Sequence, residues 1–152
     1  MTAVLRLSRR FAAPPERVFD AWTNPSVLRE WWAANADWHG AAAEVDLRPG
    51  GRYRLSMRDT TSGAVHTVMG EYTEVVRPER LAYTWTWERE TPEMRGSEGS
   101  LVVVDFVAEP AGTLVIVTHS GFAGEPIRDM HDAGWTACLD NLELRVLGRQ
   151  PA

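Results

Sequence analysis

Between residues 52 and 119 apolar side chains recur at every second position, and beyond residue 125 they recur every third or fourth. The first period belongs to strands with one buried face, the second to an amphipathic helix. A chain patterned this way must build an antiparallel sheet with one wet face and cover the other face with the helix. In Arg52-Tyr53-Arg54-Leu55-Ser56-Met57-Arg58 the apolar set alternates with arginines. Pro49-Gly50-Gly51 introduces that strand as a turn, and Asp59-Thr60-Thr61-Ser62-Gly63 folds it back onto residues 65–75. Leu81, Tyr83, Trp85 and Trp87 put all the bulk of the next strand on one face, against Ala82, Thr84 and Thr86. Residues 100–108 and 113–119 pair across Glu109-Pro110-Ala111-Gly112. In 113–119, Val115, Val117 and His119 share one face, and Leu114, Ile116 and Thr118 the other; alternation alone leaves the inner face open.

Ahead of these strands, residues 3–12 alternate around Val4, Leu5 and Leu7 and read as a first strand. Leu7-Ser8-Arg9-Arg10-Phe11 lacks the apolar run that an export signal needs after its arginines. Pro14-Pro15 opens a short helix, and Asn24-Pro25 ends it and begins a second with Leu28, Trp31 and Trp32. From Glu125 to Leu147, Ile127, His131, Gly134, Trp135, Cys138 and Leu142 share one side of a helix of about six turns, roughly 35 Å long. Asp129, Asp132, Thr136, Asp140 and Glu143 share the other side. The expected fold class is α+β: a curved antiparallel sheet of six to seven strands around one C-terminal helix, with two short helices after the first strand. Residues 1–152 are expected to form one domain.

Composition removes several chemistries. All 16 basic residues are arginine, so there is no lysine for a Schiff base, a pyridoxal phosphate anchor or a P-loop. Cys138 is the one cysteine, which excludes an internal disulfide, a CxxC redox pair and a multi-cysteine metal site. A net charge of −5 without a basic block argues against nucleic acid. No apolar run approaches a membrane span. The expected compartment is the cytoplasm. His131 and Cys138 are about 10 Å apart along the helix, too far to share an ion, and no HExxH spacing occurs, so no metal or cofactor is expected. His39 and His66 are expected in separate loops. No GxSxG elbow surrounds any serine, and Cys138 has no base one turn away. The charged stretch 88–99 reads as a solvated hairpin loop.

Eight segments, in this order and spacing, carry a family resemblance. They are Arg17-Val18-Phe19-Asp20-Ala21-Trp22-Thr23, Trp31-Trp32, Pro49-Gly50-Gly51-Arg52-Tyr53, Gly70-Glu71-Tyr72, Pro78-Glu79-Arg80-Leu81, Thr84-Trp85, Thr118-His119-Ser120-Gly121-Phe122 and His131-Asp132-Ala133-Gly134-Trp135. Together they resemble a bacterial SRPBCC domain of the START/Bet v-like helix-grip superfamily. The branch is the one named for the C-terminal domain of the activator of heat-shock protein 90 ATPase. The resemblance implies a helix-grip fold with a deep cavity between sheet and long helix. Superfamily members take up lipids, sterols and polyketides there, and some are cyclases or dehydratases. The branch name implies a co-chaperone in the stress response. The resemblance also favours His119 facing inward.

The wall of that cavity follows from alternation. Its candidate ligand-binding residues are Trp32, Tyr53, Met57, Tyr72, Tyr83, Trp85, Trp87 and Phe106, then His119, with His131 and Trp135 from the helix. Aromatic clefts with a few polar groups are typical of small-molecule sites. His131 is either an anchor for a ligand or a core histidine bonded to a backbone or tyrosine oxygen. No catalytic constellation stands out. The expected function is therefore binding of a small apolar or aromatic molecule without chemistry, by a monomer or homodimer. The alternatives are a co-chaperone-like activator of a heat-shock protein 90 type ATPase, and a polyketide cyclase/dehydratase-like enzyme using His119, His131 or Tyr83.

Overall fold

A computed structural model describes residues 3–35, 37–89 and 91–148. Strand β1 (Ala3–Phe11) leads into helices α1 (Pro15–Thr23) and α2 (Pro25–Trp31). Six strands follow: β2 (His39–Val45), β3 (Arg52–Arg58), β4 (Val65–Val76), β5 (Arg80–Trp87), β6 (Ser100–Glu109) and β7 (Gly112–Phe122). Helix α3 (Glu125–Leu142) follows, and it continues into a π-helical turn at Glu143–Leu147. The strands form one antiparallel sheet in the order β1-β7-β6-β5-β4-β3-β2. β2 to β7 meander, and β1 pairs with β7 so that the first and last strands are neighbours, with β1 and β2 at the two edges. The fold is thus α+β, as its periodicities require.

Local chemistry places the two short helices. Pro15 occupies the first turn of α1, where its missing N–H costs nothing. Val18, Phe19 and Trp22 face the core, and Phe19 meets Phe106 of β6 edge-on at 5.3 Å. Asn24 ends α1 and caps α2, its side chain accepting from the Ser26 amide at 2.9 Å. Helix α2 then carries Leu28 and Trp31 into the core.

Three features depart from the sequence reading. Strand β2 has no sequence signature, because His39-Gly40-Ala41-Ala42-Ala43-Glu44-Val45 has no alternating bulk and alanine favours strands weakly. It exists because β3 offers it a ladder and α2 packs across it; at Gly40 a Cβ would run into the Arg29 carbonyl. His39 and His66 are consequently not in loops: His39 opens β2 and His66 lies in β4. Glu143, placed by periodicity on the wet face of α3, is buried beside Arg9 at 3.6 Å. The π turn alters the phase of the helix at that point.

The stretch 88–99 is also less open than its charge suggested. A 3₁₀ turn at Pro92–Met94 folds it inward, Ser97 is buried with its hydroxyl donating to the Met94 carbonyl, and the Ala123 amide donates to the Gly96 carbonyl.

Candidate functional site

The sheet curves around α3 and leaves a cavity of about 250 Å³ between them. Its floor is buried and aromatic: Trp32 from the end of α2, Trp85 from β5, and Trp135 with His131 from α3, alongside Met57 and Cys138. Half-buried Trp38, His66, Trp87, Met94 and Met130 form the rim. The rings of Trp32, Trp85 and Trp135 make a triangle with centroid separations of 5.7, 5.6 and 5.6 Å.

The eleven residues singled out from sequence divide in two. Trp32, Met57, Trp85, Trp87, His131 and Trp135 line this cavity. Tyr53, Tyr72 and Tyr83 pack against each other at 5.0 to 5.9 Å on the other side of Trp32. The space they enclose with Trp22 and Leu28 is about 10 Å³, no more than room for one water. Burial pushes all three phenols well above their ordinary range, so they stay neutral. Phe106 is buried against Phe19 and Trp22, and His119 lies fully buried beneath Trp85 and Trp135.

Trp38, His66, Met94 and Met130 join the site without having been singled out. His66 had a legible signal, because it shares the parity of Val68 and Tyr72 in β4. Met94 had none, since a 3₁₀ turn inside a charged stretch carries no periodicity. Trp38 stacks on His66 at 5.3 Å with planes 14° apart, which makes a flat aromatic pair at the rim.

His131 in the floor and His119 behind it are both held neutral. Trp87 Nε1 donates to His131 Nε2 at 3.0 Å, and His131 Nδ1 donates to the Ile127 carbonyl at 2.9 Å. An indole N–H can only donate and a carbonyl can only accept, so His131 carries its proton on Nδ1. Trp135 Nε1 donates to His119 Nδ1 at 3.1 Å, leaving His119 Nε2 to donate to Ser100 Oγ at 2.8 Å. His119 is the opposite tautomer. Burial lowers the pKa of both, that of His119 to about 2. All four ring nitrogens are therefore committed within the chain, and neither histidine presents a free acid or base to the cavity.

Cys138 is equally committed. Its thiol donates to the Ala33 carbonyl at 3.2 Å, and burial pushes its pKa up to about 12. Among the described residues no three His, Cys, Asp or Glu side chains come together as metal ligands, and no helix is long and apolar enough to cross a membrane.

Comparison with known proteins fits this geometry. No curated protein matches the chain. A protein from Chromobacterium violaceum has a similar structure, with a TM-score of 0.77 and 27% identity over 92% of this chain and 94% of that one. An AHSA1-like protein from Aeromonas hydrophila has a TM-score of 0.74 and 30% identity over 91% and 88%. An HSP90 activator from Plasmodium falciparum reaches a TM-score of 0.69 over 93% and 94%, but at 23% identity it speaks for the fold alone. The family described as Activator of Hsp90 ATPase homolog 1-like protein matches residues 12–146. The chain belongs to that family, within the SRPBCC helix-grip superfamily.

Proposed function

We propose that this protein binds a small apolar or aromatic molecule in the cavity between sheet and α3, without transforming it. The observation that carries this reading is the cavity itself: about 250 Å³ kept open among tryptophans in an otherwise tightly packed core. A solvent-open recess walled by apolar rings gains by taking up an apolar molecule, because the gain scales with the apolar area removed from water. Full commitment of the histidine nitrogens and of the Cys138 thiol argues for binding over chemistry. Apolar probes are expected to raise the melting temperature and quench tryptophan fluorescence, and Trp85→Ala or Trp135→Ala weakens both effects. A broad apolar library that shifts neither signal would sink this reading.

Family membership favours a second reading, a co-chaperone that stimulates a heat-shock protein 90 type ATPase through its surface. Its test is turnover of such an ATPase with and without the isolated protein. Absence of both stimulation and a complex removes it.

A further inference from the structure

We infer that the ligand of this cavity is an uncharged aromatic of one or two rings that carries a hydrogen-bond acceptor such as a ketone, ester or quinone carbonyl. This inference rests on the binding reading above and specifies the chemistry of the same site.

Trp22 donates to Tyr83 Oη at 3.4 Å, Trp31 to the Ala21 carbonyl at 3.0 Å, Trp87 to His131 and Trp135 to His119. Trp32 and Trp85 donate to nothing. Each is 3% exposed, and each orphaned nitrogen is sealed from water. A buried donor without a partner is a standing cost to the folded chain, and native proteins rarely carry one without a reason. Here the two orphans belong to neighbouring rings, 5.7 Å apart, and both rings form the floor of the same cavity. Both rings form the cavity floor, so an acceptor held in that space is bound only when one of them turns its N–H toward it.

The remaining polar groups say what the ligand lacks. The acceptors near the floor are already taken: His131 Nε2 by Trp87, His119 Nδ1 by Trp135, and the Ala33 carbonyl by Cys138 and Asn141. The floor thus offers spare donors and no spare strong acceptor, so the ligand's polar group must accept. Among the described residues no Arg, Asp or Glu side chain lines the cavity, so beyond the rim imidazole of His66 nothing there offers a charge to replace the lost hydration of a carboxylate or ammonium. The volume, about 250 Å³, lies below the range of drug-sized sites and suits one or two rings. Met57, Met94 and Met130 supply soft walls that favour contact with aromatic faces.

The test compares three probes of one skeleton: tetralin, α-tetralone and the tetralin carboxylate. Affinities are measured by calorimetry on the full chain, and the indole N–H protons are followed by NMR. Tetralone should bind about tenfold tighter than tetralin, the gain of one neutral hydrogen bond, and the carboxylate more weakly than tetralone. Tetralone should move the Trp32 or Trp85 indole proton downfield by hydrogen bonding. In the Phe variant of the ring whose indole proton moves, Trp32→Phe or Trp85→Phe, the ratio of tetralone to tetralin affinity should fall toward one, a readout insensitive to any change of cavity volume that the probes share. Equal binding of tetralin and tetralone, tightest binding of the carboxylate, or tetralone binding with both indole protons unmoved overturns the acceptor inference and leaves the cavity reading standing. Failure of all three probes to bind the folded protein overturns the cavity reading, and this inference with it.

Discussion

Trp87 on β5 donates its indole proton to His131 on α3, 44 positions later in sequence, at 3.0 Å. That bond clips the helix to the sheet beside the cavity rim and fixes the protonation state of the histidine it reaches. A proton added to His131 Nε2 would face the Trp87 N–H donor to donor. His119 is constrained in the same sense by Trp135.

Acid should therefore unfold this protein early. The folded-state pKa of His119 and of His131 is depressed below the ordinary 6.5, that of His119 to about 2. Below pH 6.5 the unfolded chain takes up protons that the folded chain refuses, so stability present above that pH is lost as pH falls. Each histidine contributes up to about 1.4 kcal/mol per pH unit until its own folded value is reached. Urea midpoints measured from pH 7.5 to 4.5 should hold level at first and then fall steadily from about 6.5. A level profile down to pH 4.5 would mean that the folded chain does not hold these histidines neutral.

Trp87→Phe keeps a ring at the rim and deletes the donor. His131 Nε2 is left unsatisfied at a buried position, which should cost about 1–2 kcal/mol of stability. Protonation of that nitrogen then no longer opposes another donor, so the pKa of His131 should rise relative to the parent. Titration of the His131 ring protons by NMR reads this directly. An unchanged value would mean that burial alone, and not the indole, holds the histidine neutral.

Gly134 offers a substitution that separates stability from binding. It sits inside α3 and lines the cavity, and a Cβ there would meet the Ala34 Cβ at 3.6 Å, an ordinary contact. Glycine in a helix interior is about 0.5–1 kcal/mol worse than alanine. Gly134→Ala should raise the unfolding free energy by about that amount and lower the affinity for aromatic probes by narrowing the space. Denaturant titration and fluorescence titration of one preparation check both. Tighter probe binding in the variant would place the ligand elsewhere.

The thiol of Cys138 should be inert in the folded protein. With its pKa near 12 and its proton held by the Ala33 carbonyl, almost no thiolate exists at pH 8. Labelling by a disulfide reagent should run about a hundredfold or more slower in the native protein than in denaturant. Fast native labelling would mean that the helix lifts from the sheet far more readily than its packing implies.

The sequence by itself determined the architecture. Alternation in β3, β5, β6 and β7 and the 3.6-residue stripe of α3 are local properties, and a curved antiparallel sheet around one helix is their natural common solution. It also determined which faces carry the aromatic bulk, and by lacking lysine it removed whole mechanisms. The tertiary structure decided how that bulk was spent. Tyr53 and Met57 share one face of β3, yet Tyr53 fills a solid tyrosine cluster and Met57 lines an open cavity. Alternation gives the side of a sheet on which a residue lies, but not how far along it the helix packs. Strand β2 carries no signal of its own for a related reason, since its order comes from β3 and α2 and not from its own alanines. The partners of the indole N–H groups lay furthest out of reach. Trp22 finds Tyr83 across 61 positions, Trp87 finds His131 across 44, and Trp32 and Trp85 find nothing. Hydrogen bonds across such separations are fixed only when the sheet closes on the helix, and that closure leaves two indole donors in the cavity floor without a partner.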